Sequence, residues 1–113
     1  MKMESSLNRG SIWWVSLDPT KGSEIRKRRP CVIIGVTPVN IARRTVVIVP
    51  LSTATQQENP PVTVSVQCLD RQAVAVCDQI RAVDKTRLVE HIGRLQAEDM
   101  DSISAALKQI LVL

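Results

Sequence analysis

Four cations in a row, Arg26-Lys27-Arg28-Arg29, follow Glu24 and run straight into the apolar stretch Cys31-Val32-Ile33-Ile34. If Cys31 opens a strand anchored in a core, the basic run is held at the rim of that core and not on a free tail. A guanidinium is permanently charged and presents a planar fork of donors that fits phosphate oxygens, so such a rim suits a phosphodiester. The blander use of the same run is a solvated loop that keeps the chain soluble.

Other polar groups stand at the ends of apolar runs. Ser52 and Thr53 follow Thr45–Leu51, and Asp78, Gln79 and Arg81 follow Ala73–Cys77. If these runs are neighbouring strands, a carboxylate, a guanidinium and a hydroxyl converge. The only histidine is His91, in a strand-like pattern that reads as structural or surface, so no Ser/His or Cys/His nucleophile pair is available. No Gly-rich loop precedes a Lys-Ser/Thr pair, and nucleotide hydrolysis is not supported. No His, Cys and Asp cluster has metal-ligand spacing, so neither a metal nor another cofactor is expected. Chemistry on a phosphodiester then has one simple route, attack by the RNA's own 2′-hydroxyl. The protein would supply a proton acceptor such as Glu24 or Asp78, a proton donor, and charge stabilisation by arginine.

The elements that must position these groups follow from composition and period. A chain of 113 residues is one domain's worth, and an apolar fraction of 44% makes it globular. With no Phe and no Tyr, the core must be built from Val, Ile, Leu and Ala, plus Trp13 and Trp14. Residues 1–56 hold nine Lys/Arg and three Asp/Glu, a balance of +6; residues 57–113 hold six and eight, a balance of −2. The first half therefore attracts a polyanion. Three cysteines include no CxxC pair, and Cys31 and Cys77, in apolar runs, read as buried thiols in a reducing compartment. No apolar stretch reaches transmembrane length and the polar N-terminus has no signal-like hydrophobic region, which points to the cytoplasm.

Residues 1–8 are expected to fray, leaving one domain over 9–113. Ile12–Leu17 reads as a first strand with Trp13, Val15 and Leu17 on one face and Trp14 and Ser16 on the other. An indole left near the surface beside the basic loop could stack on a base; alternatively both rings simply pack. Pro19 ends that strand, and a loop of a dozen residues leads to Arg29. Cys31–Val36 and Thr45–Leu51 are apolar on both faces and so central. Residues 38–44 read as a polar connection. Val62–Val66 alternates as a half-exposed strand does, Asp70-Arg71 makes a turn, Ala73–Cys77 is a buried strand, and Leu88–Arg94 follows a turn at Asp84–Arg87. Met100, Ile103, Leu107, Ile110 and Leu111 recur at helical spacing, with Glu98, Asp99 and Asp101 at the positive end of the dipole, and predict a helix over Ala97–Val112. Five or six short strands and one C-terminal helix make a mainly β fold, a small curved sheet or partly open barrel.

Arg9-Gly10-Ser11-Ile12, then Leu17-Asp18-Pro19-Thr20-Lys21-Gly22-Ser23-Glu24, then Arg29-Pro30 before an apolar strand, resemble the MazF/PemK toxin family. Val49-Pro50-Leu51-Ser52-Thr53 is similar to the family's strand ending in a hydroxyl residue. Asp78-Gln79-Ile80-Arg81, Val83-Asp84-Lys85 and Arg87-Leu88 match in the same order, so the resemblance runs over about Arg9–Leu111. It implies an SH3-like small barrel of the CcdB/PemK-like kind with a C-terminal helix, acting as a homodimer. It implies sequence-specific cleavage of single-stranded mRNA, leaving a cyclic phosphate and a 5′-hydroxyl. It also implies a cognate antitoxin whose acidic, disordered tail covers the RNA groove. By position Arg29 takes the place of the catalytic arginine and Ser52 that of a catalytic threonine. Glu24 takes the place of a glutamate important in part of the family. Asp78 matches the acid of the plasmid-borne branch, whose partner arginine two residues earlier is Val76 here, so the resemblance favours an Arg29/Ser52 pairing. Arg26, Lys27, Arg28, Thr53, Gln79, Arg81 and Trp14 are expected to contact the RNA. Two other readings remain: a gyrase-poisoning toxin of the same architecture, which relies on a Trp-Gly-Ile C-terminus where this chain has Leu111-Val112-Leu113, and a noncatalytic RNA-binding barrel.

Overall fold

A computed structural model of the chain describes residues 6–17, 22, 27–53 and 57–113. It contains seven antiparallel strands: β1 (Ser11–Ser16), β2 (Arg28–Ile33), β3 (Thr45–Ser52), β4 (Thr63–Cys68), β5 (Arg71–Val76), β6 (Arg81–Asp84) and β7 (Leu88–Arg94). Helices α1 (Thr37–Ala42) and α2 (Ala97–Leu111) accompany them. This is the mainly β architecture with a C-terminal helix that the periodicities predict.

The strands run in the order β4-β5-β3-β2-β1-β7, with β6 also on β3. Strand β3 belongs to both halves of the sheet. Its first residues pair with β6 (Ile48 opposite Arg81) and its last with β5 (Leu51 opposite Ala75). Between those pairs β3 advances three residues and the other chain six. The surplus three are the 3-10 turn Cys77–Gln79, which stands against the stretch where Pro50 has no N–H to donate.

Alternation along the central strands feeds two cores. Ile12, Val32, Val49 and Leu51 face one side, where Met100, Ile103, Ala106 and Leu107 of α2 cover them. Trp13, Val15, Cys31, Ile33 and Ile48 face the other, closed by Leu7, Leu17, Val46 and Val83. Burial on both faces explains why β2 and β3 are continuous apolar runs. Helix α2 begins against the edge strand: Gln67 N donates to Asp99 Oδ2 at 2.8 Å, which satisfies an outward-facing donor of β4. The helix buries its three- and four-residue repeat but leaves Leu111 exposed.

Several expectations change. Residues 38–44 are not simply a connection, because six of the residues from Thr37 form α1, with Pro38 in its first turn. So short a helix shows no periodicity, and its one buried residue is the polar Asn40. Strand β2 starts at Arg28, not Cys31, since β1 supplies ladder partners for Arg28 and Arg29 at Ser16 and Val15. The turn before β5 is Leu69-Asp70, with Arg71 already in the strand opposite Cys68. The N-terminus is tied down from Ser6: Ser6 O accepts from Trp13 Nε1 at 2.8 Å, and Leu7 O accepts from Asn40 Nδ2 at 2.9 Å. No helix among the described residues is long and apolar enough to cross a membrane.

Candidate functional site

The helix-side core opens to the surface beyond the reach of α2. There Trp14 of β1 lies opposite Pro30 of β2, one step along the face that carries Ile12 and Val32. Ile92 of β7 and Cys68 at the end of β4, both part of or packed on that core, continue into the opening. The result is a groove of about 370 Å³ lined by Trp14, Arg28, Arg29, Pro30 and Thr53 on one side and Cys68, Leu69, Asp70, Arg71 and Ile92 on the other.

Each wall has a local cause. Alternation in β1 sends Trp13 inward, at 3% exposure, and leaves Trp14 at 37%. Trp13 is held by its bond to Ser6 and by His91, whose ring centroid lies 5.4 Å away. The β4–β5 hairpin closes in two residues, with Leu69 at φ 59. That tip is seated on Gly93 of β7: a Cβ there would stand 2.6 Å from Leu69 Cδ2. Only a residue without a side chain lets the tip settle so closely.

Arg29 is half-buried at the lip, and its Nε is buried with no hydrogen-bond acceptor among the described residues. A buried donor left unpaired is costly, which singles this guanidinium out as a candidate for a functional role. Behind it lies the Cys31 thiol. Burial pushes that thiol up to about 12, against the charges of Arg81 and then Arg29, which pull it down. The two guanidiniums therefore bear on one buried atom.

The predicted site residues fall into three groups. Trp14, Arg28, Arg29 and Thr53 come together in the groove. Ser52 is buried at the end of β3 opposite Val74, one residue behind Thr53, and does not line the groove. Asp78 is exposed on the 3-10 turn and Gln79 half-buried beside it. Arg81 lies on β6, and these three also stand outside the groove lining. Lys27 is exposed just before β2, and its carbonyl accepts from Leu17 N at 2.9 Å. Glu24 and Arg26 lie outside the described residues. The expected convergence of all three strand ends is thus partial: β2 and β3 deliver to the groove, while the turn after β5 diverts Asp78 and Gln79 around the β3 break.

The hairpin tip was not foreseen. Leu69-Asp70 between two apolar runs signals a turn, but only the tertiary fold places it across from β1 and β2. Three guanidiniums, an exposed indole and a proline ring in one cleft suit a strand of alternating phosphates and planar bases.

Residues 8–111 match the family model described as PemK-like, MazF-like toxin of type II toxin-antitoxin system. The endoribonuclease MazF9 of Mycobacterium tuberculosis is 30% identical over 110 residues, covering 90% of this chain and 93% of that protein. The crystal structure of MazF from Deinococcus radiodurans superposes with a TM-score of 0.82 at 20% identity, over 94% of this chain and 96% of that one. A mycobacterial endoribonuclease in complex with its cognate antitoxin superposes with a TM-score of 0.77 at 23% identity, over 94% and 95%.

Proposed function

The chain belongs to the PemK-like, MazF-like toxin family of type II toxin–antitoxin systems, and from that premise we propose that its groove binds and cuts single-stranded RNA. The protein is an endoribonuclease. The observation that carries the reading is the buried Nε of Arg29, without an acceptor among the described residues, at the lip of a cleft shared with Trp14, Arg28 and Arg71.

The ribose 2′-oxygen attacks the adjacent phosphorus. The 2′-O–P bond forms and the P–O5′ bond breaks, giving a 2′,3′-cyclic phosphate and a 5′-hydroxyl. The 2′-hydroxyl proton passes to a carboxylate, Glu24 or Asp78, and the leaving 5′-oxygen takes a proton in turn. Arg29 stabilises the charge that builds on the phosphoryl oxygens, a contribution of several kcal/mol for a preorganised donor, about 3 by analogy with oxyanion holes. At the end of β3 the hydroxyl that reaches the groove is that of Thr53, with Ser52 buried behind it. Arg26, Lys27, Arg28, Gln79 and Arg81 hold flanking phosphates, and Trp14 stacks on a base. No divalent ion is needed where the nucleophile is already part of the substrate.

The protein works as a homodimer in the cytoplasm, where its three free cysteines stay reduced. Its cognate antitoxin silences it by laying an acidic, disordered tail along the groove, where the guanidiniums would otherwise hold phosphates. The test is incubation of labelled single-stranded RNA with purified protein and a chelator. Scission that yields a 5′-hydroxyl, and that stops when the attacked ribose is 2′-deoxy, is expected. Retention without scission identifies a noncatalytic binder, and cutting of the 2′-deoxy strand sinks the mechanism.

A further inference from the structure

Among the described residues the basic groove contains one acid, Asp70. Its side chain sits at the tip of the β4–β5 hairpin, exposed, among Arg28, Arg29 and Arg71. Among the described residues it makes no hydrogen bond or ion pair with any of these arginines. A carboxylate on a phosphate-binding wall repels the backbone it faces, so it weakens binding unless it meets a donor that only a base can supply. The tip is also fixed. Leu69 packs over Gly93, and the two-residue turn closes on Cys68 opposite Arg71. Trp14 lies in the same groove, where a base stacked on its ring turns an edge toward the surrounding wall.

We infer that Asp70 reads the Watson–Crick edge of a guanine held in this groove, and so sets the sequence at which the RNA is engaged. The inference rests on the groove being the RNA site proposed above. Guanine is the one base whose Watson–Crick edge offers two adjacent donors, N1–H and N2–H, which match the two oxygens of a carboxylate. Cytosine and adenine place a ring acceptor beside their amine, and uracil flanks one donor with two carbonyls. Each of those sets an acceptor against the carboxylate. A bland role is available, since Asp is a common turn residue. Asparagine serves a turn equally well, which separates the two.

The experiment measures anisotropy of a labelled oligo(dU) carrying a single guanine, or in its place hypoxanthine, the same base without the N2 amine. The 2′-deoxy backbone cannot be cut by the proposed chemistry. Wild-type protein should prefer guanine by about tenfold, and Asp70→Asn should erase the preference while raising affinity for oligo(dU) itself, since the repelling charge is gone. Gly93→Ala, which displaces Leu69, should reduce the preference without abolishing binding. Equal wild-type affinity for the two strands, or a preference that survives Asp70→Asn, overturns the inference. A guanine preference in a protein that leaves RNA intact would instead remove the nuclease reading and keep this one.

Discussion

The Cys31 thiol donates to the carbonyl oxygen of Arg29 at 3.5 Å, two residues back along β2. The residue at the lip of the groove is therefore backed by a sealed thiol. Burial raises Cys31 to about 12 and Cys77 to about 11, the latter helped by the negative charge of Asp78. The folded protein keeps these protons at a pH where the unfolded chain, with thiols at their ordinary value of 9.0, has lost them. Their stabilising effect is complete below pH 9 and declines as pH rises toward the folded values. Each thiol should cost about 1.4 kcal/mol of stability per pH unit in that window. Urea midpoints from pH 8 to pH 10.5 should fall, and Cys31→Ala should flatten the decline. An unchanged slope in the variant assigns the effect elsewhere.

Arg29→Ala should cut RNA cleavage by about two to three orders of magnitude, the usual effect of removing one preorganised donor. Circular dichroism and melting temperature should stay close to wild type, because the lost Nε is not bonded within the described fold. Arg29→Lys keeps the charge and loses the planar fork, so it should recover only part of the rate. A fully active Arg29→Ala protein removes the residue from the chemistry.

Asn40 clamps the N-terminus to the turn after β2. Its Nδ2 donates to Leu7 O at 2.9 Å and Gly35 O at 2.8 Å, and the residue is 1% exposed. Asn40→Ala strands both carbonyls and should destabilise the protein by about 2–3 kcal/mol, read as a lowered urea midpoint at unchanged m-value. Gly35→Ala should also destabilise, since its Cβ would meet Asn40 Oδ1 at 2.5 Å.

Three arginines line the groove. If each neutralises one phosphate of a single strand, the logarithm of the binding constant should fall with the logarithm of salt at a slope of roughly −2. Arg71→Ala should make that slope shallower by about 0.7. A salt profile that is flat, or unmoved by the substitution, would take the hairpin wall out of the interface.

Much of this architecture is written in period and composition. The alternation Trp13/Trp14 puts the two indoles on opposite faces, without fixing which of them is inside, and the repeat Met100, Ile103, Leu107 fixes the buried face of α2. Continuous apolar runs mark β2 and β3 as central because both of their faces meet a core. Helix α1 escapes notice because six residues with a proline and a buried asparagine carry no repeat. Strand β6 escapes because four residues, only one of them buried, look like any other connection. The groove is the least legible feature. Arg29 and its acid neighbour Asp70 are far apart in the chain, and only the corner turned by β3 brings their strands to one cleft. Motif order points to Arg29, whereas no local pattern distinguishes Asp70 from an ordinary turn residue.

Trp13 and Trp14 are the chain's only Phe, Tyr or Trp residues, and they emit from opposite surroundings. The first sits in a dry interior beside an imidazole; the second meets solvent in the cleft. Intrinsic fluorescence should thus be a sum of a blue-shifted band and a red-shifted one. A strand entering the cleft should dim the red component alone, while denaturant merges the two, so occupancy and unfolding can be told apart in one cuvette without any added label.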